Sequence, residues 1–296
     1  MIDRREFLAG TGAAIAACSS HGLRAAKSLP TRLIPASGEG LPIVGLGNSR
    51  AFREGDLPLS RALIETLTEY GGSYIDAGGP GRETLARIVA ADEARDELFI
   101  GTYIAAGDYA SGRLDIAALA ESQGGGPLDL VQTNELDDLA RRWPFFDQYK
   151  DEGLVRYIGL ARSGEQHFDR IMRLMAARDI DFVQVNYSLL EPAAAERLLP
   201  AAQDAGVAVV INRPFVNGRY FSLLGDVPLP AWAADFDCDS WAQFSLKFIL
   251  SHPAVNCVLT ETANPAHARE NLAAGIGPLP DEATRRRMLA LVRDIV

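Results

Sequence analysis

The stretch SYIDAGGPGRETLARIV, residues 73–89, places one carboxyl group where a protein can use it for chemistry. Its pattern predicts a short apolar strand that ends at Asp76, then a glycine-rich turn and an amphipathic helix. A carboxyl group at the end of a buried strand is partly desolvated, which raises its pKa and suits it to act as an acid or a base. The structural alternative is that Asp76 accepts hydrogen bonds from loop N–H groups or caps the helix that begins near Gly81.

The glycines after Asp76 do not predict a phosphate-binding loop. The segment GGPG, residues 78–81, fits neither the G-x-G-x-x-G pattern nor a Walker loop, and Pro80 lacks the N–H that such a loop would use. The four histidines are scattered along the chain, and no pair has the spacing of metal ligands. We therefore expect no metal site.

Eight short apolar runs alternate with helical patterns along the chain. Near-continuous apolar strands, each followed by a helix, are typical of a parallel sheet that is buried on both faces. Eight such units in 296 residues favour an α/β fold of the (β/α)8 barrel type over residues 30–296, preceded by a hairpin around residues 37–40 and ended by a closing helix. The predicted strands are PIVGLG, SYIDAG, LFIGTYI, LDLVQTN, VRYIGLA, DFVQVNYS, VAVVINRP and VNCVLTE.

Several segments resemble, in order, the sequence blocks of the aldo/keto reductase family. They are LPIVGLG, YIDAG, GLVRYIGLA, DFVQVNYS, RPFVNGR and FILSHPAVNCVLTETANPAHARENLAA, and they extend over residues 32–274. The resemblance implies a barrel that the hairpin plugs at its lower end. It also implies an oxidoreductase that reduces a small carbonyl compound with a nicotinamide cofactor, NADP or NAD.

The family's reaction uses a tyrosine that donates a proton, a lysine that lowers the pKa of that tyrosine, an aspartate that pairs with the lysine, and a histidine that orients the carbonyl. By resemblance, Asp76 is the aspartate, but the following loop has no tyrosine, Tyr103 stands at the lysine position and Asn134 at the histidine position. We therefore predict Tyr103 as the acid, Asp76 as its tuning partner and Asn134 as the group that polarises the carbonyl. The alternatives are that Tyr103 fills the space of the lysine and that Asn134 makes a polar loop contact.

The resemblance also implies a cofactor site along the last strands. Gln184 would bind the nicotinamide amide, and Glu270 and Asn271 would lie near the adenine. Glu261 stands where a lysine or glycine is usual, and a carboxylate near a phosphate is unfavourable. The predicted cofactor-binding residues are Gln184, Asn212, Arg213, Pro214, Thr262, His267, Glu270 and Asn271.

Residues 1–26 are predicted to be an export signal. Arg4 and Arg5 precede an Ala- and Gly-rich apolar run that is too short to span a bilayer, which looks like a twin-arginine signal. The run ends at Cys18 in a segment that resembles a lipobox, so lipidation of Cys18 and cleavage near residues 25–26 both stay open. The signal predicts a location in the periplasm or cell envelope, with membrane contact only through the signal or a lipid anchor.

The composition narrows the function. A chain with 48% hydrophobic and 23% charged residues is typical of a globular protein with a full core. Its net charge of -10 repels phosphate backbones, so we expect no nucleic-acid partner. Three hypotheses remain, namely carbonyl reduction in a remodelled site, a non-catalytic barrel that binds a small ligand or partner, and a lyase or isomerase with Asp76 as its base. The sequence does not fix the oligomeric state.

Overall fold

The computed structural model describes residues 28–92, 95–104, 107–137 and 139–296. The export signal and Cys18 lie outside the described residues. The strands are β1 Thr31–Leu33, β2 Gly40–Pro42, β3 Val44–Leu46, β4 Tyr74–Asp76, β5 Phe99–Tyr103, β6 Leu128–Thr133, β7 Val155–Ala161, β8 Phe182–Asn186, β9 Ala208–Asn212 and β10 Val255–Thr260.

Strands β3 to β10 pair in chain order, all in parallel, and β10 pairs with β3 to close the barrel. These eight strands lie within the eight apolar runs of the sequence, so the predicted (β/α)8 barrel is confirmed. Closure works because each strand is buried on both sides, by helices outside and by side chains of the opposite strands inside.

Helices cover the outside of the barrel. Helices α4 and α5 are only weakly amphipathic; the buried residues of α4 are Gly112 and Ile116, and α5 contains Pro144. The segment after β9, which the sequence predicts as a long loop, contains α8 and two 3₁₀ turns, Val216–Gly218 and Ala231–Phe236. The α-helices are α1 Arg50–Arg53, α2 Leu57–Glu69, α3 Pro80–Asp92, α4 Tyr109–Ser122, α5 Leu139–Asp151, α6 Phe168–Ala177, α7 Leu198–Asp204, α8 Arg219–Leu224, α9 Trp241–Leu250, α10 Pro265–Ala273 and α11 Glu282–Ile295.

The predicted hairpin plugs the lower end of the barrel, where the strands begin. Strands β1 and β2 pair antiparallel, and the hairpin side chains Ile34 and Leu41 join the apolar cluster inside the barrel. The Arg32 guanidinium donates hydrogen bonds to the carbonyls of Leu250 and His252, at 2.6 and 3.2 Å. The hairpin is thereby fixed to the segment that leads into β10.

Above the plug, large inward side chains fill the lower part of the barrel. Tyr74, Phe99, Tyr157 and Phe182 pack with ring centroids 5.2 to 5.9 Å apart along the chain of contacts. Because side chains alternate along a strand, the residue two positions after Tyr74 points inward one layer higher, and this residue is Asp76. Apolar side chains therefore fill the lower layers, and the polar side chains lie at the carboxyl end of the strands, where barrels carry their sites.

Among the described residues, none of the helices combines the length and the apolar character needed to cross a bilayer. Cys238 and Cys257 are buried free thiols.

Candidate functional site

Asp76 lies at the centre of a buried hydrogen-bond network. Its Oδ2 accepts from the Tyr103 hydroxyl at 2.8 Å and from the Gln184 amide at 3.3 Å, and its Oδ1 accepts from the Gln132 amide at 3.1 Å. Strands β4, β5, β6 and β8 each contribute one of these side chains, all of which point into the barrel. Asp76 is 5% exposed, so its hydrogen bonds come from protein groups.

Burial raises the pKa of Asp76 from its ordinary value of 3.8 to about 6. Desolvation is the largest cause, since it penalises the charged carboxylate. The hydrogen bonds from Tyr103 and Gln184 act in the opposite direction, while the charge of Glu261 raises the pKa further. Asp76 therefore exchanges a proton close to neutral pH although it is deeply buried.

The Tyr103 hydroxyl has one proton and two acceptors. It lies 2.8 Å from Asp76 Oδ2 and 3.1 Å from Gln184 Oε1. Burial and the neighbouring Asp76 charge raise the pKa of Tyr103 well above 10. When Asp76 is ionised, the hydroxyl donates to the carboxylate; when Asp76 is protonated, it can accept from Asp76 and donate to the Gln184 oxygen.

Asn134 lies one residue beyond β6 and is exposed. It lines a cavity of about 490 Å³ that also contacts Tyr103, so the structure brings these two predicted residues to the same opening. Asp76 is hydrogen-bonded instead by Gln132, two positions earlier on the same strand. The other residues that line this cavity are Gly79, Arg82, Ile104, Asp115, Ala118 and Leu119.

Four of the predicted cofactor-binding residues line a second cavity, of about 470 Å³, beside β10 and α10. They are Thr262, His267, Glu270 and Asn271. The opposite lining is aromatic and comes from the segment after β9 and from α9, with Phe215, Phe221 and Trp241. Planar rings and polar side chains together suit a flat, polar ligand such as a purine.

The other four predicted cofactor residues have different contacts. Gln184 belongs to the Asp76 network, and Asn212 Oδ1 accepts a hydrogen bond from the Ser163 hydroxyl at 2.9 Å. Pro214 is buried, and its carbonyl accepts from Ser245. Arg213 has a positive φ of 53°, lies 3.8 Å from a carboxylate oxygen of Glu191, and has a buried Nε without a hydrogen-bond partner.

Glu261 lies between the two sites. It lines the second cavity, and its Cγ would lie 2.7 Å from a Cβ added at Gly47, so its side chain packs over β3. Burial raises the pKa of Glu261, and the charges of Arg53 and Arg213 partly oppose this shift. Arg53 Nη1 lies 3.8 Å from its carboxylate. Because Arg213 also lies 3.8 Å from Glu191, these two arginines face two carboxylates.

The glycine-rich turn after Asp76 serves packing. A Cβ added at Gly81 would lie 2.0 Å from Asn48 Oδ1, and the Asn48 amide donates to the carbonyl of Gly78 at 3.0 Å. This close approach explains why the turn needs a glycine at residue 81 without any bound phosphate. In the part of the chain that the structure describes, no group of three His, Cys, Asp or Glu side chains could hold a metal ion.

Two residues of the site, Gln132 and Arg82, were not predicted from the sequence. Gln132 could have been found from strand alternation, because Leu130, Gln132 and Asn134 share the inward face of LDLVQTN. Arg82 follows the turn on α3 and donates from Nη1 to the main-chain carbonyl of Tyr103 at 3.1 Å. No sequence signal pointed to this contact, because it joins a helix to a neighbouring strand.

The chain is similar to known oxidoreductases. A D-threo-aldose 1-dehydrogenase from a Pseudomonas species is 31% identical over 200 residues, which cover 54% of this chain and 58% of that protein. An NADH-specific methylglyoxal reductase from Escherichia coli is 27% identical over 211 residues, covering 60% and 64%. The chain thus matches less than two thirds of the length of these relatives.

Solved structures share the fold. An aldo-keto reductase from Bacillus halodurans, in its holo form, superposes with a TM-score of 0.73 at 19% identity, covering 89% of this chain and 96% of that chain. An aldo-keto reductase from Klebsiella pneumoniae in complex with NADPH gives a TM-score of 0.72 at 18% identity, covering 89% and 95%. The sequence profile described as the aldo/keto reductase family matches residues 44–287. The chain therefore belongs to the aldo/keto reductase family.

Proposed function

We propose that the protein is a nicotinamide-dependent oxidoreductase, using NADP or NAD, that reduces a small carbonyl compound with Asp76 and Tyr103 as its proton-donating pair. The observation that carries the proposal is the 2.8 Å hydrogen bond between the Tyr103 hydroxyl and Asp76, a carboxyl group with a pKa of about 6. A carboxyl group with this pKa can hold a proton for transfer near neutral pH.

The side chains present fit a nicotinamide cofactor. The aromatic and polar cavity at Trp241, His267 and Asn271 has the chemistry for an adenosine, which fits the predicted role of His267 and Asn271. The buried Arg213 Nε lacks a hydrogen-bond partner, and a phosphate oxygen would satisfy it. Arg53 and Arg213 partly offset the charge of Glu261, which lowers the cost of a phosphate nearby. When bound, the reduced cofactor would supply the hydride.

The proton path involves only residues of the chain. Protonated Asp76 donates from Oδ2 to the Tyr103 oxygen, and Tyr103 donates its own proton to an acceptor on its other side, where Gln184 Oε1 now lies at 3.1 Å. A substrate carbonyl oxygen at that place would receive the proton as it becomes an alcohol. Asp76 then regains a proton from solvent, and Asn134 at the rim of the cavity would donate a hydrogen bond to the carbonyl.

The test combines binding with turnover on the purified protein. We expect NADPH or NADH to change its fluorescence on binding, and methylglyoxal to be reduced with a rate that falls as pH rises through about 6, because Asp76 then loses its proton. Tyr103→Phe should lower kcat by about 100-fold or more, since a positioned acid contributes at least this much.

Tyr109→Phe is the matched control. Its hydroxyl donates to Glu152 on the surface, away from Asp76, so turnover should be unchanged. Equal turnover of the wild type and Tyr103→Phe would remove Tyr103 from the reaction. If neither cofactor binds at millimolar concentration, the oxidoreductase proposal is wrong.

A non-catalytic barrel is the second candidate, and one observation favours it. The Tyr103 hydroxyl is already satisfied by Asp76 and Gln184, and its pKa is raised rather than lowered, which makes the phenol by itself a weak acid. In this case the cavity beside Tyr103 would bind a small ligand without changing it. Cofactor binding without turnover of any carbonyl compound would support this candidate.

A further inference from the structure

We infer that the cofactor site prefers NADH to NADPH, and that Glu261 is the residue that discriminates between them. The two cofactors differ only in a phosphate on the 2′-hydroxyl of the adenosine ribose. The inference rests on the proposed function, because it decides between the two cofactors that this function leaves open.

The cavity of about 470 Å³ beside α10 has an acidic lining. Two of its residues, Glu261 and Glu270, carry carboxylates, and no lysine or arginine is among the described residues that line it. The base in this lining, His267, is an imidazole, which carries a full charge only in acidic solution. A 2′-phosphate would therefore meet carboxylates here, without the permanent cation that binds a phosphate best.

The Glu261 side chain is accessible to a ligand in this cavity. Glu261 directly follows β10, its Cγ packs over Gly47 of β3, and 48% of its side chain is exposed. Arg53 Nη1 lies 3.8 Å from its carboxylate, which favours the charged form. A charged carboxylate accepts hydrogen bonds from hydroxyl groups such as those of a ribose, whereas it repels a phosphate at the same place.

The two arginines near Glu261 do not reverse this discrimination, because neither lines the cavity. Arg53 donates a hydrogen bond to the Asn48 carbonyl, and Arg213 lies 3.8 Å from a carboxylate oxygen of Glu191. We assign the phosphate proposed for the Arg213 Nε to the pyrophosphate, which both cofactors contain. This contact therefore contributes equally to the binding of NADH and NADPH.

The N-terminus of α10 also offers little to a 2′-phosphate, although His267 of its first turns lines the cavity. Helix N-termini bind phosphates through free N–H groups. Pro265 has no N–H, and the Ala266 N–H donates to Asn264 Oδ1 at 2.9 Å. The Ala268 N–H donates to the Asn264 carbonyl at 2.9 Å. These groups of the helix are therefore satisfied within the chain.

The experiment is a calorimetric titration of the full chain with NADH and with NADPH, without a carbonyl substrate. We expect the dissociation constant of NADH to be at least about tenfold lower, because the carboxylate attracts the ribose hydroxyls and repels the added phosphate. The result does not depend on turnover, since only binding is measured.

Substitutions of Glu261 test whether this residue discriminates. Glu261→Gln keeps the size and an oxygen acceptor but removes the charge, so the preference should fall below about threefold. Glu261→Lys supplies a cation and should reverse the preference. Glu196→Gln is the matched control, because it removes an exposed carboxylate that does not line the cavity, and it should leave the preference intact.

Equal binding of the two cofactors, tighter binding of NADPH, or a preference that survives in Glu261→Gln would overturn the inference and leave the oxidoreductase proposal intact. Binding of neither cofactor would contradict both. If the Glu261 variants do not fold, the wild type still decides, because added salt should reduce a preference that arises from charge and should not change one that arises from shape. A preference for NADH in a protein that reduces no carbonyl compound would support this inference and contradict carbonyl reduction.

Discussion

The raised pKa of Asp76 affects both the chemistry of the site and the stability of the barrel. The same buried carboxyl group that would transfer a proton also makes the free energy of unfolding depend on pH. In the unfolded chain its pKa returns to 3.8, whereas in the folded protein it is about 6. Folding therefore favours the protonated carboxyl group. The stability that this group contributes is fully present below pH 3.8 and is lost as pH rises to 6 and above.

Asp76→Asn should make the protein less sensitive to pH. The difference between the two pKa values corresponds to about 3 kcal/mol, so the variant should gain up to about that much free energy of unfolding, relative to wild type, between pH 4 and pH 8. An asparagine NH₂ could donate to Gln132 Oε1, which is buried without a partner. The measurement is denaturant unfolding at both pH values.

The control for this prediction is Asp115→Asn, which removes an exposed carboxyl group. The free energy of unfolding of Asp115→Asn should differ from that of the wild type by the same amount at pH 4 and pH 8. A pH-independent difference for Asp76→Asn would mean that Asp76 does not ionise in this range.

At the residue scale, sequence and resemblance located Asp76 and Tyr103, because both end strands that are easy to recognise. They did not predict the direction of the pKa shift of Tyr103, which depends on burial and on the nearby Asp76 charge. Nor could they show that Gln184 turns its amide toward Asp76, since the orientation of a side chain follows from its neighbours in space.

At the scale of elements, β3 depends on a residue without a side chain, Gly45. A Cβ added at Gly45 would lie 2.7 Å from the main-chain carbonyl of Tyr74 on β4 and 3.0 Å from the Leu259 side chain on β10. Gly45 therefore allows β3 to lie against both neighbours at the seam that closes the barrel. A backbone carbonyl in a paired strand has little freedom to move away.

Gly45→Ala should destabilise the protein by about 1–3 kcal/mol through this overpacking. Gly107→Ala is the matched control, because an added Cβ there meets nothing within 4 Å. Thermal unfolding of the two variants measures the difference. Equal melting temperatures would show that β3 and β4 separate more easily than their packing indicates.

The strands were predictable because continuous apolar runs are strong signals, and all eight were found. Helices α4 and α5 give weaker sequence patterns, since α4 buries only Gly112 and Ile116 and Pro144 interrupts the helical pattern of α5. The segment after β9 was predicted as a loop because short helical turns of three to six residues have no clear periodicity.

At the scale of the whole molecule, export remains a prediction from residues 1–26. Replacing Arg4 and Arg5 with lysine should retain the protein in the cytoplasm of a bacterium that has twin-arginine transport, whereas Arg24→Lys should not. Intact mass of the exported protein would identify the new N-terminus, either a lipidated Cys18 or a residue near 27. A mature protein that keeps Met1 would contradict both.

The pairing of β3 with β10 also determines when the barrel can close during synthesis of the chain. Val44 pairs with Val258, and Arg32 of the hairpin bonds to the carbonyls of Leu250 and His252. The hairpin and β3 leave the ribosome long before β10, so until then β3 has an unpaired edge and the lower end of the barrel is not yet closed. Such distant pairing slows folding and prolongs the exposure of apolar edges. The newly made chain should consequently need protection by a chaperone until residue 260 has emerged.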